Sequence, residues 1–141
     1  MKLSIVGIDH QGDREHEVVT LKVGADCNLR NYILTDANYD KQEQLMTHPF
    51  RHTFWFEPTA VKGGDYVMVH TRAGTSTHHA NQLGTTSHEF FWDTPEAVWH
   101  EKEDAALLFE IAEYSIDTTR SFVSNISVSY THLTLPTILR V

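Results

Sequence analysis

The chain has 141 residues, of which 40% are hydrophobic and 11% aromatic, the size and composition of one globular domain with its own core. Its 19 acidic residues outnumber its 11 basic ones, and the formal charge is −8. No window holds three Lys or Arg together, which argues against nucleic acid or an anionic membrane as the partner, and no apolar stretch is long enough to span a membrane.

Apolar residues occur in short bursts separated by turn residues, a pattern typical of all-β sandwiches and barrels. Residues 18–23 alternate most clearly, with Val19, Leu21 and Val23 on one face. We predict about eight strands, at residues 3–8, 18–23, 31–35, 52–56, 66–71, 89–92, 105–109 and 114–118.

The connections between these strands differ in length. Gly63-Gly64 supplies a turn with positive φ, whereas residues 36–49 form a long polar crossing and residues 72–87 a loop without periodicity. Long crossings favour a Greek-key-like arrangement over a simple meander.

Residues 96–114 also suit a helix, because Thr94-Pro95 resembles a capped helix start. However, residues 100–104 are five polar residues in a row, which would interrupt any apolar helical stripe. We therefore predict a loop that leads into a strand.

Several motifs follow one another in a fixed order over residues 3–121. An early strand closes with Tyr32-Ile33-Leu34-Thr35-Asp36, a Phe-rich strand ends at Pro58, and a glycine turn leads into a Val-rich strand. Phe91-Trp92, Val98-Trp99 and an aliphatic strand opened by Asp104 come last. This order resembles the lamin tail domain family, the immunoglobulin-like module of nuclear lamins and many bacterial proteins.

The resemblance implies an immunoglobulin-like β-sandwich of about eight mostly antiparallel strands, and a non-catalytic interaction or scaffolding module whose partner is a protein. The sequence departs from the family pattern at three positions. These are Tyr32, where Trp is usual, His100, where Asn is usual, and Glu103, where Gly is usual. The side chains expected in the core between two sheets are Phe54, Phe56, Trp92, Trp99 and Leu107. Trp55 is expected to face outward.

Ten histidines are many for this length, so metal binding is a possible function. His70, His78, His79 and His88 lie close together in sequence, yet their spacing matches no known zinc pattern. We expect a polar loop and no metal ligands, and we keep a metal-binding protein or metal-dependent hydrolase that uses these four residues as the alternative.

Other chemistry is weakly represented. Residues 36–40 open like a calcium loop but lack its later Gly and Glu, so an Asp/Asn-rich turn is expected. Cys27, the single cysteine, excludes an internal disulfide and suits a reducing, cytoplasmic compartment; we expect it to be incidental, in a polar turn. No catalytic or nucleotide-binding motif is present, and we expect no enzymatic activity, no cofactor and a dispersed acidic surface.

Residues 128–137, from Val128 to Thr137, resemble one translated reading frame of a common transposon-based sequencing adapter. We therefore expect residues 1–127 to form the native domain, and residues 128–141 to be a non-native tail on a metagenomic, bacterial sequence that natively continues into a longer protein. A third reading is a structural subunit of a phage or surface assembly, polymerising through its edge strands.

Overall fold

The computed structural model describes residues 1–99 and 104–118. These residues are all-β, as predicted, apart from a short 3-10 helix at Leu29–Asn31. Within these two ranges there are eleven strands: β1 (Leu3–Asp9), β2 (Val18–Val23), β3 (Cys27–Asn28), β4 (Tyr32–Asp40), β5 (Leu45–Thr47), β6 (Thr53–Trp55), β7 (Ala60–Val61), β8 (Tyr66–His70), β9 (Thr77–Ala80), β10 (Thr86–Phe91) and β11 (Asp104–Glu110).

Two main sheets contain most of these strands. One has five strands in the order β1-β2-β8-β10-β9, and in the other β4 pairs with β11 on one side and with β5 and β6 on the other. β3 and β7 form a separate short pair. All pairs are antiparallel except β8 with β10, which are parallel. Since β2 lies beside β8, neighbours within a sheet are distant in sequence.

Period-two alternation explains the core. In β2, Val19, Leu21 and Val23 are fully buried while Lys22 is exposed, because successive strand residues point to opposite faces. Both main sheets contribute to one hydrophobic core, the arrangement of a β-sandwich. The core residues are Leu3, Val19, Leu21, Val23, Leu29, Tyr32, Leu34, Phe56, Val61, Val67, Val69, Phe90, Val98 and Trp99.

The aromatic predictions hold for most residues. Phe56 and Trp99 are buried, and Trp55 is 49% exposed. Phe54 and Trp92 keep some exposure while packing against the core. Their rings meet at a centroid distance of 5.6 Å in an edge-on arrangement, one of the geometries that aromatic pairs prefer.

The prediction for Leu107 was wrong. Ala106 and Leu108 pack against the core, so Leu107, between them in β11, points to the opposite face, where it lies across from Thr35. A shift of one residue exchanges the two faces of a strand. The uninterrupted apolar run at residues 105–109 of β11 has no alternation that would indicate which face is buried.

Three other segments have a different secondary structure from the one predicted. β4 continues to Asp40, so the turn expected at residues 36–40 is a strand, and the loop expected at residues 72–87 contains β9 and the start of β10. Residues 112–118, described apart from the sandwich, have no regular structure. The strand predicted at residues 114–118 is therefore wrong: Tyr114 and Ile116 are exposed, and alternation specifies a strand only where a sheet buries one face.

A continuous helix over residues 96–114 is excluded, because β11 occupies part of this range. The departures at His100 and Glu103, and the tail from residue 128 to 141, lie outside the described residues. Within the described part of the chain, no helix is long and apolar enough to cross a membrane.

Candidate functional site: the exposed edge of β9

Asn81 builds the turn of the hairpin formed by β9 and β10. Its Oδ1 accepts hydrogen bonds from the amides of Leu83 (3.0 Å) and Thr85 (3.1 Å), and Gly84 has φ of +82°. An Asn side chain that binds amides ahead of it mimics a backbone turn. The turn places β9 antiparallel to β10.

β9 lies at the edge of its sheet, and all four of its residues are exposed. The Asn81 amide donates to the Thr85 carbonyl at 2.9 Å, which marks these residues as a hydrogen-bonded pair. Such pairs alternate along antiparallel strands. His79 therefore bonds to β10, whereas the backbone N–H and C=O groups of His78 and Ala80 point away from it. Among the described strands, none pairs with this side of β9.

The four histidines considered as metal ligands come together here, but on two faces of the sheet. His88 faces the core and lies opposite His78 in β9. Glu89 faces the other way and contacts both His70 and His79. The four side chains therefore do not converge on one point. In the described residues, no group of three or more His, Cys, Asp or Glu is arranged to hold a metal ion.

On the outer face, Glu89 connects two strands through histidines. Its Oε1 lies 2.8 Å from His70 Nε2 and its Oε2 lies 2.6 Å from His79 Nε2. Burial alone would raise the pKa of Glu89, but the hydrogen bonds from His79 and His70 outweigh it and the pKa is lowered. The same bond to Glu89 raises the pKa of His79. This cluster ties β9 to the sheet by charge-assisted hydrogen bonds.

On the core face, Asp65 holds His88. The Asp65 Oδ2 lies 2.9 Å from His88 Nε2, and the amides of Lys62 (3.0 Å) and Thr86 (3.1 Å) donate to the same carboxylate. Burial would raise the pKa of Asp65, but these bonds, with that of His88 the largest, lower it. The imidazole is thereby fixed in position beside a pocket.

The pocket has a volume of about 180 Å³ and opens next to β9. Phe90 and His88 form its buried part, and Glu57 is exposed at its rim. The hydroxyl of Ser76 donates to Glu57 Oε1 at 2.9 Å. The complete lining is Glu57, Thr59, Ser76, Thr77, His78, His88 and Phe90.

From the sequence, the four histidines are considered only as alternative metal ligands, and their carboxylate partners are missed. Asp65 follows the Gly63-Gly64 turn, where an Asp that caps a turn is common, and this was the available signal. Of the two glycines, only Gly64 has positive φ, +98°. Glu57 and Ser76 are 19 residues apart, and no local pattern indicates that they meet.

Cys27 does not lie in the polar turn that the sequence predicts. It is in β3 and packs partly buried against the core. Burial raises the pKa of its thiol, which lowers the fraction of the nucleophilic thiolate at neutral pH. Burial likewise raises the pKa of neighbouring Tyr32 to about 12. Neither side chain is activated as a nucleophile or base.

The acids of the calcium-like segment have structural partners. Asp36 is fully buried in β4 and accepts hydrogen bonds from the amide (2.7 Å) and Nδ1 (3.0 Å) of His52. Arg51 lies 3.6 Å from Asp36 and 3.4 Å from Asp104. The arrangement supplies cationic and N–H partners from the protein itself, so these carboxylates join β4, β11 and the segment that precedes β6.

Comparison of the chain with protein-family models and with curated proteins finds no match. The resemblance to lamin tail domains therefore stays a prediction from the order of the motifs.

Proposed function

We propose that this chain is a non-catalytic protein-interaction module of the lamin-tail kind, which binds an extended segment of a partner protein along the edge of β9. The observation that carries the proposal is the exposed edge itself. The register with β10 directs the backbone groups of His78 and the N–H of Ala80 outward, and His78 also lines the pocket, whereas the Ala80 carbonyl lies 3.3 Å from His79 Nδ1. Peptide recognition by strand addition uses these two elements: the backbone supplies affinity and the pocket supplies specificity.

The two edge strands of the five-stranded sheet, β1 and β9, differ, and this difference supports the proposal that β9 binds the partner. β1 carries an irregularity between Ile5 and Gly7, where its register against β2 shifts. Bulges, charges and prolines are the devices that keep edge strands from pairing. β9 pairs with β10 in regular register and contains no Lys, Arg, Asp, Glu or Pro. Of these two edges, β9 is the one suited to accept another strand.

The non-catalytic part of the proposal rests on how the reactive side chains are used. Glu17, Asp36 and Asp65 bind backbone amides or histidines of distant segments, and the Cys27 thiol is deactivated by burial. A reducing, cytoplasmic setting suits the single cysteine.

The same observation favours a second candidate, a structural subunit of a phage or surface assembly that polymerises through its edge strands, with β9 of one copy pairing with an edge strand of another. Both candidates use the outward backbone of this strand. They differ in whether the bound strand comes from another protein or from the same chain.

A library of random displayed peptides tests the proposal. We expect the full chain to enrich extended, β-prone peptides, and the substitution His78→Pro to abolish their binding, because proline removes an outward N–H without removing a bond to β10. His78→Ala is the matched control, since it also loses the imidazole but keeps the N–H. Equal enrichment by wild type and His78→Pro would refute edge binding.

Self-pairing is measured separately by light scattering over a hundredfold range of concentration. A monomer at every concentration excludes the assembly candidate. A dimer or larger assembly that dissociates on His78→Pro and persists on His78→Ala would establish it instead.

A further inference from the structure

We infer that the pocket beside β9 takes a basic side chain, so that the bound segment is an extended peptide with Arg or Lys opposite His78. The inference rests on the proposed function and deepens it, because it names the chemistry by which one extended segment is distinguished from another.

The geometry of strand addition determines which side chain reaches the pocket. A strand added to β9 continues the alternation of the sheet, so the residue opposite His78 has its side chain on the same face as His78. This is the face that carries His88 and the pocket. With a volume of about 180 Å³, the pocket is smaller than the ~300–1,000 Å³ sites that bind small molecules, and a single long side chain suits it.

Charge selects the kind of side chain. Glu57 is exposed at the rim of the pocket, and the Ser76 hydroxyl holds it through Oε1. No described residue donates a hydrogen bond to its Oε2. A cationic side chain in the pocket can therefore bind the Oε2 atom of Glu57, whose carboxylate is already oriented. An acidic side chain is repelled by Glu57 and by the net charge of −8 on the chain.

The apolar wall of the pocket suits the same side chains. Phe90 is 2% exposed and forms the wall with the rings of His78 and His88, whose centroids are 6.0 Å apart. Arg and Lys place an aliphatic stem along apolar surface and keep the charged head at the rim. The planar guanidinium of Arg also binds a carboxylate with two parallel bonds, so Arg should bind more tightly than Lys.

The probe is a labelled peptide, Thr-Val-Thr-Arg-Thr-Val-Thr, with three variants in which the central residue is Lys, Ala or Glu. Each is titrated into the ¹⁵N-labelled full chain. The backbone amide signals of His78 and Ala80 report strand addition directly, and their shift as a function of peptide concentration gives the dissociation constant.

We expect the Arg peptide to shift both amides and the Ala peptide to bind about two- to fivefold more weakly, the upper part of the range for an exposed, oriented ion pair. The Glu peptide should bind most weakly. In Glu57→Gln the difference between the Arg and Ala peptides should disappear, the signature of a direct pairwise interaction. Glu43→Gln, which changes the same charge at an exposed turn, should leave that difference intact.

Each other result decides against the inference. If all four peptides bind equally to wild type and none binds to His78→Pro, the basic preference is refuted while edge binding survives. If Glu57→Gln and Glu43→Gln reduce Arg binding equally, only net charge acts and the pocket has no role. If no peptide shifts these amides, or if they shift with protein concentration alone, the inference fails, and the library and light-scattering measurements then decide the proposed function.

Discussion

Replacing Glu17 with alanine should destabilise the sandwich more than removal of any exposed acid. Glu17 is fully buried. Its carboxylate accepts hydrogen bonds from the Thr71 hydroxyl (2.5 Å), the Val98 amide (2.6 Å) and the Gly12 amide (3.1 Å). These donors come from three segments that are far apart in sequence, and each would be left without its acceptor.

The magnitude follows from the two shortest bonds. A hydrogen bond to a charged group contributes about 1.5–3 kcal/mol net, so two give about 3–6 kcal/mol. Breaking a buried charged network by removing one partner costs a similar ~3–5 kcal/mol. We therefore expect Glu17→Ala to lower the free energy of unfolding by about 4 kcal/mol. Glu17→Gln, which keeps one acceptor oxygen, should lower it by about half as much.

Urea unfolding followed by tryptophan fluorescence measures both variants, since Trp99 is buried beside this network. Glu15→Ala is the matched control, because Glu15 is exposed and paired with Arg14, and it should change stability by less than about 0.5 kcal/mol. A change below about 1 kcal/mol for Glu17→Ala, with an unchanged dependence on urea, would refute the assignment of Glu17 as the junction of these segments.

Two further predictions concern the outer face of the five-stranded sheet that contains β10. Gly74→Ala should cost about 1–3 kcal/mol of unfolding free energy, because a Cβ would overlap the ring of Phe91; Gly7→Ala, whose Cβ would meet open space, should be close to neutral in the same unfolding assay. The lowered pKa of Glu89 gives stability that is present above the ordinary value of 4.5 and lost as pH falls through the folded pKa, and the raised pKa of His79 gives stability present below 6.5 and lost as pH rises through the folded pKa. The stability difference between wild type and Glu89→Gln should therefore be larger at about pH 5.5 than at about pH 8.5, and an equal difference at both would contradict the ionic role of the pair.

The fold was predictable where one face of a strand is buried and the other solvated. β2 has the predicted boundaries, and β8 differs from its prediction by one residue at its end, because both alternate between buried and accessible side chains. Hydrophobic alternation gives no information where it is missing, as in the apolar run at residues 105–109 of β11. There Leu107 was predicted to face the core, but Ala106 and Leu108 do so instead. Alternation also fails for β3 and β7, whose two-residue pairing is too short to produce a pattern.

The candidate site was the less predictable part for a related reason. β9 has four exposed residues, so burial imposes no periodicity on it. The Asn81 turn, the pairing with β10 and the bond from His79 to Glu89 hold it in the sheet. The number of histidines in this region indicated possible metal ligands and did not indicate an edge strand. Their division between two faces of the sheet follows from the position of β9, which the sequence does not specify locally.

The acidic composition illustrates the same limit for single residues. The excess of acids indicates a solvated surface, yet Glu17, Asp36 and Asp65 are buried. A buried carboxylate is costly unless several donors satisfy it, and here the donors come from distant positions: Glu17 binds Val98, 81 residues away. Local sequence around an acid carries no information about a donor so far along the chain. The composition therefore gives only the formal charge, while the fold decides which acids are buried and which, such as Glu57 beside β9, stay exposed.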